Sequence, residues 1–185
     1  QERGGDCSRV LDQLVDVQHI YATSGAFAAL KADGTVVAWG RAASYDDNGG
    51  DCSKVQAQLV DVQSIYSTTS AFAALQADGS VAAWGDSSKG GDCSKVQDQI
   101  TVDVQSIYST TSAFAALKAD GSVVAWGEAK DQAKAVSEPL TKLQESGVVT
   151  SITRNDDAIA ALKADGSVVA WGEAKDQAKA VSEPL

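Results

Sequence analysis

Four segments of fourteen residues recur along this chain almost unchanged: FAALKADGTVVAWG at 27–40, FAALQADGSVAAWG at 72–85, FAALKADGSVVAWG at 114–127 and IAALKADGSVVAWG at 159–172. Their tryptophans, Trp39, Trp84, Trp126 and Trp171, stand 45, 42 and 45 residues apart. Self-similarity at such a period marks a repeat architecture, in which each copy is one supersecondary unit and neighbours bury each other's apolar faces. The unit start recurs as well, as GGDC at Gly4, Gly49 and Gly90. The chain therefore reads as a single repeat domain, 1–185, with units at about 4–40, 49–85, 90–127 and 137–172. Residues 128–147 read as a helical linker and 173–185 as a tail.

Within a unit the local signals are legible. GGDCSKVQAQL (49–59) opens with a turn, and Ser53 and Gln56 have the Ser-x-x-Gln spacing of a capping box, which predicts a short helix of about two turns. VDVQSIYSTTS (60–70) is rich in β-branched and aromatic residues and predicts a strand. AFAALQA and SVAAWG flank Asp78-Gly79, a two-residue hairpin signal between apolar runs. Each unit thus reads as a short helix plus about three antiparallel strands. In the linker, Ala129–Val136 favours helix, and Pro139 suits the start of a second short helix that ends by Gly147.

The alanines say how the sheets pack. In Phe72-Ala73-Ala74-Leu75 both alternating faces are apolar while half the side chains are small. A strand with two dry faces lies between two layers, and small residues let those layers approach closely. Stacked propeller blades meet both requirements. A parallel β-helix is the rival repeat fold, and a tight hairpin in every unit counts against it. The expected fold is mainly β, a β-propeller or open propeller arc of four repeats.

The pattern Leu-x-x-Asp-Gly-x-Val-x-x-Trp-Gly occurs in phase at 30–40, 75–85, 117–127 and 162–172. It resembles the signature of the regulator of chromosome condensation repeat family, and the three strands per unit are nearest to the β-lactamase-inhibitor type. The resemblance implies one blade per repeat, usually in a ring of seven, and members that mostly bind proteins. Two family features are missing. Ser-Thr-Thr-Ser-Ala (67–71) replaces a Gly-Gly-x-His-Ser stretch, and no Asn-x-x-Gly-Gln-Leu-Gly run follows the tryptophan. The ultraviolet-B receptor of the same family senses light through tryptophans in a Gly-Trp-Arg-His-Thr setting that this chain lacks, so packing accounts for its four. Four units leave a four-bladed ring, part of a larger ring, or an open arc completed by a partner. The exact recurrence of 117–140 as 162–185 puts the last residue where another unit would begin, favouring truncation or an open arc.

Charge narrows the partners. With a net charge of -10, spread evenly, the chain lacks the basic face that a nucleic-acid backbone requires. No apolar run reaches the ~20 residues of a membrane-spanning helix. The start Gln1-Glu2-Arg3, in a chain without methionine, reads as a processed product or part of something longer, which would suit export or an organelle lumen. Cys7, Cys52 and Cys93 hold equivalent repeat positions, so three separate half-buried thiols are expected rather than a disulfide framework.

Catalytic chemistry finds few candidates. The single histidine, His19, stands where the other copies carry Ser64 and Ser106, which suits an exposed strand position better than a general base. YDDNGGD (45–51) gathers Asp46, Asp47 and Asp51, but the spacing is not that of an EF-hand loop, and an acidic surface turn is expected instead of calcium. Asp33, Asp78, Asp120 and Asp165 recur strictly, and the hairpin turn accounts for them. Tyr21, Tyr66 and Tyr108 suit either a protein-contact face or the cover of blade edges. The sequence therefore predicts no catalytic, cofactor-binding or metal residues. It predicts a non-enzymatic protein-interaction or scaffold module, a peripheral subunit docking onto a larger protein assembly. A glycan-acting enzyme, or a guanine-nucleotide exchange factor by family analogy, is the alternative.

Overall fold

A computed structural model describes residues 5–43, 46–127 and 148–172. The expected linker helices at 128–147, the expected start of the fourth unit and the tail at 173–185 lie outside the described residues. Four three-stranded antiparallel meanders dominate. Blade 1 comprises β1 (Val17–Ala22), β2 (Ala26–Lys31) and β3 (Val36–Gly40). A short ribbon of β4 (Ala42–Ala43) and β5 (Asp46–Asp47) follows. Blade 2 is β6 (Val62–Ser67), β7 (Ala71–Gln76) and β8 (Val81–Gly85); blade 3 is β9 (Val104–Ser109), β10 (Ala113–Lys118) and β11 (Val123–Gly127). Blade 4 is β12 (Val149–Arg154), β13 (Ala158–Lys163) and β14 (Val168–Gly172). The first strands line up, β1 against β6, β6 against β9 and β9 against β12, with no comparable contact from β12 back to β1. The molecule is an open propeller arc.

The hairpins form at the repeated Asp-Gly, but with three-residue loops instead of the expected two. Lys31 N–H donates to Thr35 O and Gly34 N–H to Lys31 O, and Gly34 takes φ +76°. This is a turn closed by a glycine in the left-handed region, the usual three-residue solution. The aspartate fixes the loop: Asp33 Oδ1 accepts from Thr35 N–H at 3.0 Å and from its hydroxyl at 2.6 Å.

The helix at the start of the first two units is also shorter than expected. Leu11–Gln13 and Gln56–Gln58 are single 3-10 turns, and Ser94–Gln99 is a longer one. No serine caps them. Asp51 Oδ1 accepts the Ser53 N–H, and Gln56 leaves the backbone for the blade before it, donating to Val36 O at 3.3 Å and accepting from Cys52 Sγ. Gln97 does the same with Val81 O and Cys93. The glutamine of the apparent capping box is a clamp between blades.

Blades 2 and 3 each use one face for the blade before and the other for the blade after. Ala26, Ala28, Leu30 and Val36 of blade 1 pack on Ile65, Phe72, Ala74, Ala82 and Trp84 of blade 2, with Cys52 and Leu59 closing the rim. Blades 2 and 3 repeat this joint through Leu75 and Val81 against Ile107, Phe114 and Trp126. Blades 3 and 4 repeat it with Val123 against Ile152 and Ile159. Phe72 and Phe114 are completely buried. Each such side chain removed from water contributes about 1.5–3 kcal/mol, and the alanines between them bring the sheets close enough to exclude water.

The tryptophan of the signature packs across its own hairpin. Phe72 is paired with Trp84 across β7 and β8, and their rings stack at 5.2 Å. The Trp84 indole donates to Gly49 O at 3.0 Å, and a Cβ on Gly49 would meet the Phe72 ring at 2.5 Å. Only glycine fits there, which explains GGDC. Gly90 repeats the arrangement over Phe114 and Trp126.

Candidate interaction surfaces

Two hydrogen-bonded rungs tie each joint together. At the hairpin tips, Val62, Val104 and Val149 donate their N–H groups to Gly34, Gly79 and Gly121 of the preceding blade at 3.0, 3.1 and 3.3 Å. At the opposite ends of the strands, the turn residues Ser24, Thr69 and Thr111 donate N–H groups to Thr69 O, Thr111 O and Asp156 O of the next blade at 2.9, 3.0 and 2.8 Å. The Ser24 and Thr69 hydroxyls reinforce the same carbonyls. The Ser-Thr stretches that depart from the family pattern are therefore inter-blade fasteners. Asn48, buried among them, accepts from the Ser24 hydroxyl at 2.7 Å through its side chain and from the Thr23 hydroxyl at 2.8 Å through its carbonyl.

Of the residues weighed for chemistry, His19 and Asp33 line one groove, and Asp47 and Asp51 share an acidic turn in which Asp86 also acts on Asp47. His19 lies exposed on β1, beside an open groove of about 450 Å³ between the hairpin ends of blades 1 and 2. An ion pair of Lys31 Nζ with Asp33 at 3.6 Å lines that groove. Asp33, Asp78, Asp120 and Asp165 each hold the N–H two residues on, and these bonds together with the neighbouring hydroxyls keep the carboxyls below the usual aspartate range. Asp47 accepts the Gly49 N–H, and partial burial pushes its carboxyl up. Among the described residues no group of three acidic, His or Cys side chains is placed to hold a metal, and no buried side-chain N or O lacks a hydrogen-bond partner.

Cys7, Cys52 and Cys93 are free thiols, the last two buried in the joints, where desolvation raises them above the ordinary thiol range. Tyr21, Tyr66 and Tyr108 pack at the edges of the three joints. They belong to the arc itself. No described helix is long and apolar enough to cross a membrane.

The distinctive surfaces are the two ends. Ile65, Ile107 and Ile152 are 3%, 2% and 7% exposed, whereas Ile20, the same residue of blade 1, is 61% exposed. Val36, Val81 and Val123 are 2%, 1% and 1% exposed, whereas Val168 of blade 4 is 55% exposed. Leu30 and Leu75 are buried, and Leu162 is 43% exposed. Laying the four copies over one another singles these residues out: among the described blades, the first has none packed before it and the last none after it.

No family model matches this sequence and no curated protein matches it. Solved structures do. Yeast RCC1 (Prp20), in its complex with Kap60, is 16% identical with a TM-score of 0.56, covering 84% of this chain and 43% of its own. Prp20p from Saccharomyces cerevisiae, in a study of its binding to Gsp1p and histones, gives the same identity and TM-score over 84% of this chain and 45% of its own. Human WBSCR16 is 20% identical with a TM-score of 0.51, covering 84% and 47%. The chain thus spans less than half the length of these proteins. With the in-phase signature and the four three-stranded meanders, they identify the fold as an open arc of RCC1-type propeller repeats.

Proposed function

We propose that this chain is a non-enzymatic protein-interaction module that docks through the ends of its arc, as a peripheral subunit of a larger protein assembly. The observation that carries this reading is that the apolar side chains buried in all three inner joints are uncovered at both ends. Large exposed apolar residues clustered on a rigid frame are characteristic of protein contact. The solved neighbours described with Kap60, Gsp1p and histones are in keeping with it. So is the engagement of the repeated aspartates by their own turns, which accounts for these four carboxylates without catalysis. A charge of -10 turns the reading toward protein and away from nucleic acid. The test places a photo-crosslinking amino acid at Ile20, at Leu162 and, as a control, at the exposed edge position Gln63. Protein adducts at the two end positions, with none at Gln63, are expected. An absence of adducts at both ends would refute the docking role.

A further inference from the structure

We propose that Asn48–Gly49 is a self-modification site gated by the joint between blades 1 and 2: when that joint opens, the Asn48 side-chain amide is converted to an acid, and the product keeps the joint from closing again. The pair stands in the acidic turn 45–51. The chemistry needs only the chain and water. The Gly49 nitrogen, freed of its proton, bonds to Cγ of Asn48 while the Cγ–Nδ2 bond breaks and the amide leaves as ammonia. The five-membered imide then takes up one water. Opening at Cγ gives aspartate, and opening at the main-chain carbonyl gives isoaspartate, in which the chain runs on through the side chain. One amide and one water become one acid and one ammonia, with no change of oxidation state. Glycine is the residue that permits the attack, because it has no Cβ to crowd its nitrogen.

The closed joint holds the reacting groups in other bonds. Asn48 is 2% exposed. Its Oδ1 accepts from the Ser24 hydroxyl of blade 1 at 2.7 Å and from the Ser70 hydroxyl of blade 2 at 3.4 Å. Its own carbonyl accepts from the Thr23 hydroxyl, and its N–H donates to Arg41 O at 3.1 Å. The nucleophile, the Gly49 N–H, donates to Asp47 Oδ1 at 2.8 Å, and Gly49 O accepts from the Trp84 indole. The peptide that must turn is therefore pinned on both sides. Gly25 stands close to the electrophile: a Cβ there would lie 3.2 Å from Asn48 Cγ. These partners come from both blades, so separating blade 1 from blade 2 frees the amide and the peptide next to it. In the next joint Lys89 precedes Gly90, and no amide is present to react.

Neither product fits the closed joint. Aspartate puts a carboxylate where a neutral amide is buried, next to Asp47, on which Asp51 and Asp86 already act. A buried charge without a counter-charge is costly. Isoaspartate lengthens the main chain by one carbon immediately before Gly49. That glycine has no room to shift, since a Cβ on it would meet the Phe72 ring at 2.5 Å. The ammonia is lost to solution, so one opening of the joint is recorded permanently. The joint between blades 2 and 3 has no such group, which confines the change to the side of blade 1.

Trypsin releases residues 42–54 as one peptide, in which Asn48 is the one side-chain amide. The intact 185-residue chain and the synthetic peptide 42–54 are incubated side by side at mildly alkaline pH. Chromatography with mass spectrometry follows the conversion of amide to acid and separates aspartate from isoaspartate. The folded chain should convert about a hundredfold more slowly than the peptide, because reaction waits on local opening. Ile65→Ala, which removes a side chain buried in this joint, should convert roughly thirtyfold faster than the wild-type chain. Ile65→Val should convert about threefold faster or more, and keeps the test open if the alanine variant does not fold. Ile107→Ala, the same change in the next joint, should leave the rate within about twofold. Equal rates in chain and peptide would overturn the gate. Equal acceleration by Ile65→Ala and Ile107→Ala would overturn it too, since unfolding of the whole arc would then be the route. No conversion in either Ile65 variant, with the peptide converting, would refute the site itself. The converted chain, separated by anion exchange, should melt at a lower temperature than the fresh one. An unchanged melting temperature would refute the claim that the product keeps the joint from closing.

Discussion

Trp84 shows how much of this fold depends on single polar contacts inside apolar joints. Its ring is 3% exposed, and its indole N–H satisfies the Gly49 carbonyl. Trp84→Phe keeps most of the packing but leaves that carbonyl without its donor, and should cost about 1–3 kcal/mol in urea unfolding. A loss near zero would mean that water reaches Gly49. The aspartates act through protonation. In Asp33, Asp78, Asp120 and Asp165 the hydroxyl and N–H two residues on lower the folded pKa. Their stabilisation is therefore complete above the ordinary aspartate range and is lost as pH falls through the lowered values. Asp47 has the opposite sign: burial raises it, so the fold favours its protonated form, and that contribution is lost as pH rises through the raised value. Asp47→Asn, which can still accept the Gly49 N–H, should raise the melting temperature near neutral pH. The gain should vanish on acidification. A gain that persists at acid pH would mean that burial of the charge is not its cause.

At the scale of the blade, the joints should carry the stability. Ile107 is 2% exposed between blades 2 and 3, so Ile107→Ala should cost about 2–5 kcal/mol by equilibrium unfolding. A cost typical of surface positions would contradict the joint as described. The elements of the blade were largely legible in the sequence, because Asp-Gly between apolar runs and small residues on both faces of a strand have few other solutions. What was not legible came from partners distant along the chain. Ser53-x-x-Gln56 has the local form of a cap, yet Val36 O and Cys52 offer Gln56 better company, since the segment lies along the preceding blade. The extra loop residue at Gly34 reflects strand twist and the closing Lys31–Thr35 pair, which the dipeptide alone does not encode. The Ser-Thr turns looked like a lost family feature and turned out to be fasteners between blades. Asn48 had no precedent in the other copies, so the repeat could not announce its role.

For the whole molecule, the open arc predicts a gradient of local stability. Blades 2 and 3 each pack between two blades, while blades 1 and 4 each have one neighbouring blade. In a linear array each unit is stabilised by its neighbours, so the ends open more readily than the middle. Amide hydrogen exchange should therefore be slowest in β7 (Ala71–Gln76) and β10 (Ala113–Lys118) and faster in β13 (Ala158–Lys163). Exchange as slow in β13 as in β7 and β10 would mean that blade 4 owes its protection to something other than a neighbouring blade.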